Sequence, residues 1–170
     1  MGLSEGVSTT GGRGGRVPRM LAIYLRNHEA AARGGTDLFR RAADAQSRRP
    51  WGWELERLAA EVAEDLHRLR TLIHGWDVRT DPWSTLAVRV GERVGRLKPN
   101  GRVVRRSPLS DLIEVEAGLD AVHAKAAGWD VLRSTTTPAP SVDLDELARR
   151  AADQVERLTT VHRTVAAATL

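Results

Sequence analysis

Histidine and carboxylate residues fall inside the apolar faces of this chain's helical patterns, and that placement is its clearest chemical signal. His28 sits near the centre of the apolar stripe of a first pattern, and Asp65 lies at the stripe edge of a second. Glu116 and His123 fall within about 20° of the stripe centre of a third, with Asp120 close by, and His162 is central on a fourth. Neutral imidazole and carboxylate suit Fe, Mn or Zn. The candidate metal set is therefore His28, Asp65, Glu116, His123 and His162, with Glu61 or Asp120 available to complete a shell. Burying a carboxylate unpaired is costly, so each of these residues needs a partner. The rival reading is a hydrogen-bonded polar layer that fixes helix register and does no chemistry.

Four long helices must position these residues. The first runs over about 18–47, with Leu21, Tyr24, Leu25, His28, Ala32, Leu38, Phe39 and Ala42 at helical spacing. Arg48-Arg49-Pro50 stops it. Gly34-Gly35 weakens its middle or admits a close neighbour. The second, 52–74, carries Leu55, Leu58, Val62, Leu66, Leu69, Leu72 and Ile73, and Gly75 ends it. Asp81-Pro82 opens a shorter amphipathic helix with Trp83, Leu86, Val90, Val94 and Leu97, closed by Pro99-Asn100-Gly101. Ser107-Pro108 opens the third long helix, to about 133, with Leu109, Leu112, Ile113, Leu119, Ala126 and Ala127 as its core face. Asp143-x-x-Glu146 is a capping box for the fourth, which runs nearly to the C-terminus. The Gly/Arg-rich residues 1–17 read as a flexible tail, and 18–170 as one helical domain.

The fold class is all-α. Four long helices with roughly 33 residues between the second and third predict a ferritin-like four-helix bundle, its long crossover containing the short extra helix. With the first and fourth helices running one way and the middle two the other, His28, Asp65 and His123 share a level about 13–15 Å from one end. Glu116 and His162 form a second pair, roughly 25–30 Å along. Ferritin-like di-metal sites use inward Glu-x-x-His motifs. Glu64-x-x-His67 has that spacing but lies roughly 140–160° from its stripe centre, on a solvated face.

A second constellation is basic. Arg89, Arg93, Arg96, Lys98, Arg102, Arg105 and Arg106 lie in the crossover with Glu92 as their one acid, a set suited to an anion, a nucleic acid or an acidic partner. It has no interleaved aromatics for base stacking. Trp51, Trp53, Trp76 and Trp83 gather at helix ends and in the crossover, as plugs of the bundle end or as a subunit contact. The chain has no Cys, which excludes disulfides and thiolate chemistry and fits the cytoplasm. No apolar run approaches the length of a membrane span.

The chain resembles an uncharacterised family of actinobacterial helical bundles regarded as ferritin-like. The specific part is Gly95-Arg96-Leu97-Lys98-x-Asn100-Gly101-Arg102, then Ser107-Pro108-Leu109-Ser110-x-Leu112-x-Glu114-x-Glu116, with Lys125 and Trp129 downstream. Leu25-x-x-His28 and Glu61-x-x-Glu64-Asp65 add weaker matches. The resemblance implies a fold and no established activity. The expected function is non-enzymatic interaction or assembly, with homo-oligomers as one form. The alternatives are an atypical His/carboxylate metal site in the bundle core, and anion or nucleic-acid binding through the crossover.

Overall fold

The computed structural model describes residues 17–76, 78, 107–135 and 142–170. Among them are four α-helices and no strand: α1 (Arg19–Gln46), α2 (Gly52–Gly75), α3 (Pro108–Arg133) and α4 (Leu144–Thr169). The starts follow the local chemistry. Pro108 takes the first turn of α3, where a missing N–H costs nothing. Asp143 Oδ1 accepts the Glu146 backbone N–H at 2.9 Å, so half of the capping box is formed. The Gly34-Gly35 pair does not interrupt α1. A Cβ at Gly35 would meet the Ala121 Cβ at an ordinary 3.9 Å. The short helix expected from Pro82, and the tail up to residue 16, lie outside the described residues.

Each helix packs against two neighbours. α1 pairs with α2 and α3, and α4 pairs with α3 and α2, which leaves α1–α4 and α2–α3 across the diagonals. All four neighbouring pairs are antiparallel. Gln46 reaches Trp51 and Asp111, Arg70 reaches Glu29, Arg133 reaches Asp145, and Arg157 reaches Glu54. α2 and α3 therefore point the same way, and the chain between them starts at one end of the bundle and finishes at the other.

Burial of apolar stripes drives this arrangement. The core is in two parts. One joins Phe39, Leu55, Leu58, Val115, Val122 and Leu158. The other joins Leu25, Leu72, Ile73, Trp129, Leu132 and Leu147. Trp51 seals the first end, and its indole N–H donates to Gln46 Oε1 at 2.7 Å. Trp76 is buried at the other end. Trp53 differs from the expected plug: it is 60% exposed, with the Arg57 guanidinium 5.7 Å from its ring. Trp83 lies outside the described residues.

α3 is turned about its axis relative to the expectation. Its inward residues are Leu112, Val115, Gly118, Val122, Trp129 and Leu132. Leu109 and Ile113, expected in the core, are exposed, as is Ala127. The helix carries apolar residues on two faces, so averaging over all of them points to the wrong side.

Candidate functional site

Between the two apolar cores lies a polar layer built by α2, α3 and α4. Asp65 and Gln154 are buried in it, and Lys125 enters from α3. The Lys125 ammonium donates to Asp65 Oδ2 at 2.6 Å and to Gln154 Oε1. Gln154 Nε2 in turn donates to Asp65 Oδ2 at 3.2 Å and to Glu61 Oε2 at 3.1 Å. The amide orientation is thereby fixed, because flipping it would set its NH2 against the ammonium. Arg150 Nε lies 3.1 Å from Asp65 Oδ1 but is misaligned for a hydrogen bond. Asp65 thus holds one ammonium contact with good geometry and one weaker guanidinium contact.

The layer continues to the α2–α4 edge as a ladder of ion pairs. Arg150 donates to Glu64 Oε2 at 2.8 Å and to the Glu61 carbonyl at 3.0 Å. Arg157 donates to Glu54 at 2.8 Å, to Asp153 at 2.8 Å and to Glu61. Arg68 pairs with Glu64 at 3.0 Å and with Glu146 at 3.7 Å. Long side chains hold this edge together. The α1–α3 side instead closes through small residues, with Gly118 against Phe39 and Gly128 against His28.

The electrostatics follow from burial and pairing. Burial pushes the Lys125 ammonium below its ordinary range, against the pull of Asp65. Burial alone would raise Glu61, but hydrogen bonds from Arg157 and Gln154 outweigh it and hold the carboxyl low. Hydrogen bonds from Arg150 and Arg68 bring Glu64 down to about 2. A carboxyl depressed on folding contributes stability that is complete above its unfolded pKa and is lost as pH falls through its folded one. The Glu64 contribution therefore disappears between about pH 4.5 and about pH 2. Acid titration followed by circular dichroism should show a flatter loss of stability across that window in Glu64→Gln than in the native chain.

The sequence-derived candidates separate. His28 is half-buried, tilted against Tyr24 at 4.3 Å between ring centroids and in contact with Gly128, and burial lowers its pKa. Asp65 faces Lys125. His123 is exposed, which corrects its inward placement, and Glu116 and Asp120 are exposed as well. The expected trio of His28, Asp65 and His123 is thus not brought together. Glu116 and His162 do meet, with Nε2 and Oε1 3.2 Å apart, but at the surface. Among the described residues no three His, Asp or Glu side chains gather as a metal ion would need. The basic set Arg89, Arg93, Arg96, Lys98, Arg102, Arg105 and Arg106 lies outside the described residues.

Sequence reasoning named Lys125 only within the resemblance, without an interior role, and missed Gln154. One signal was available: Lys125 is one of 2 lysines among 26 basic residues, set in a run of alanines. In comparisons with known proteins, no family model, curated protein or solved structure matches the chain.

Proposed function

We propose that this chain is a non-enzymatic, ferritin-like four-helix bundle that acts through assembly with further copies of itself. The outward face of α3 carries the reading. Leu109 is 49% exposed, Ile113 36% and Val131 44%, and the three lie within about 40° of one another on the helix. Single exposed apolar residues are ordinary, but Leu109 and Ile113 stand one turn apart and Val131 lies on the same side near the other end of the helix, with the charged Glu116 and Asp120 between them.

The interior supports the same reading, because the ammonium that meets Asp65 belongs to the chain itself. The ferritin-like part rests on the helix directions, with α2 and α3 parallel across the diagonal, and on the sequence resemblance. The absence of Cys suits a reducing cytoplasm. None of the described helices is long and apolar enough to cross a membrane.

Sedimentation velocity tests the assembly. The native chain should sediment as a multiple of 18.6 kDa, and Ile113→Glu as a single chain with unchanged helical content. A native chain that sediments at 18.6 kDa, indistinguishable from the variant, would overturn the reading.

A further inference from the structure

We infer that Asp65 and Gln154 form a receptor for a primary ammonium group, which the chain fills with its own Lys125. Three observations carry this.

The first is the acceptor set. The Lys125 ammonium is met by a carboxylate oxygen, Asp65 Oδ2 at 2.6 Å, and by an amide oxygen, Gln154 Oε1. Both side chains are sealed, Asp65 at 3% exposure and Gln154 at 0%. The amide cannot turn without losing its bonds to Glu61 and Asp65, so the acceptors stand ready whether or not Lys125 is present. An ammonium is a compact charge with three donors, whereas a guanidinium is a broad planar fork. In a chain whose other basic residues are all Arg but for Lys98, a Lys occupies this interior position.

The second is charge. Of the carboxylates in the layer only Asp65 touches the ammonium, while Glu61 and Glu64 are met by Arg157, Arg150 and Arg68. A single positive charge matches Asp65, and a divalent metal ion would leave an excess of positive charge in a buried layer.

The third is access. The receptor sits one side-chain layer behind the α2–α4 edge, and that edge is closed by ion pairs. Their side chains are partly open to water, at 25% for Glu61, 19% for Arg150 and 20% for Arg157. A small amine reaches the layer when these side chains move aside.

The test removes the built-in ligand and supplies it in solution. Lys125→Ala takes away the side chain beyond Cβ, and n-propylammonium chloride replaces the missing part. The thermal midpoint of Lys125→Ala should rise by about 3–6 °C at a probe concentration ten times its dissociation constant. Tetramethylammonium chloride, which has no N–H donor, and sodium chloride should give no such rise. Lys125→Met, which fills the volume without the charge, should not respond to the probe. An equal rise with all three salts, or none with n-propylammonium, overturns the inference.

If Lys125→Ala does not fold, the native chain decides. It has only two lysines, so nitrogen-detected spectra of the side-chain ammonium groups contain at most two signals. A Lys125 signal in slow exchange with water near neutral pH, lost in Asp65→Asn, supports the receptor. A Lys125 ammonium that exchanges as fast as a free amine contradicts it.

Discussion

Asp65→Ala will lower the stability of the chain by about 3–5 kcal/mol, the range for removing one partner of a buried ion pair. The variant leaves the Lys125 ammonium inside the bundle with the Gln154 carbonyl oxygen as its one hydrogen-bond acceptor, while Arg150 keeps its bonds to Glu64 and the Glu61 carbonyl. At roughly 2–4 °C per kcal/mol for a chain of this size, the thermal midpoint should fall by about 6–20 °C. The converse change is less damaging. Asp65→Val combined with Lys125→Met replaces the pair by apolar groups closer to it in volume, and such replacements are often neutral or stabilising. Differential scanning calorimetry on the three proteins checks both statements. A double variant as unstable as Asp65→Ala would show that the layer stabilises the fold through more than its own pairing.

Gly52→Ala will cost roughly 2–3 kcal/mol, even though alanine is the better helix former by about 1 kcal/mol. Gly52 opens α2 directly after the tight turn from α1. A Cβ there would lie 2.6 Å from the Gln46 carbonyl oxygen and 2.7 Å from that of Ser47. Both are backbone atoms, and Gln46 O also accepts the Arg49 N–H at 2.8 Å, so the turn cannot move aside without losing that bond. Gly35→Ala is the matching control. Its Cβ meets only the Ala121 Cβ at 3.9 Å, inside a helix, so this change should stabilise by up to about 1 kcal/mol. Urea unfolding should move the two midpoints in opposite directions at constant slope.

The helices and their ends were legible because periodicity and punctuation agree at each one. Pro50, Pro108 and Asp143 mark boundaries that the structure places within a residue or two. The opposed directions of the helices were also legible, because a long connection between the second and third is what a parallel diagonal pair requires. The rotation of α3 was not. His123 and Lys125 are two positions apart, about 200° around the helix. Placing the stripe on Leu109, Ile113 and Ala127 brought His123 inward and sent Lys125 out, the reverse of the structure. A long charged side chain at an interior position lowers the contrast between faces, and three exposed apolar residues on the other face lower it further. The level of the site along the bundle survived this error. Asp65 does lie level with the third helix where expected, but it meets Lys125. Gln154 gave no signal, since an uncharged residue in an apolar stripe reads as neutral until its partners are known.

The account turns on whether the cation opposite Asp65 is the chain's own ammonium. Elemental mass spectrometry on protein purified without an affinity tag or chelator measures this directly, before and after incubation with Fe, Mn or Zn. A metal content far below one ion per chain, in the native protein and after incubation, is the predicted result. A near-stoichiometric transition metal that disappears in Asp65→Asn would contradict the account and return the interior to metal chemistry.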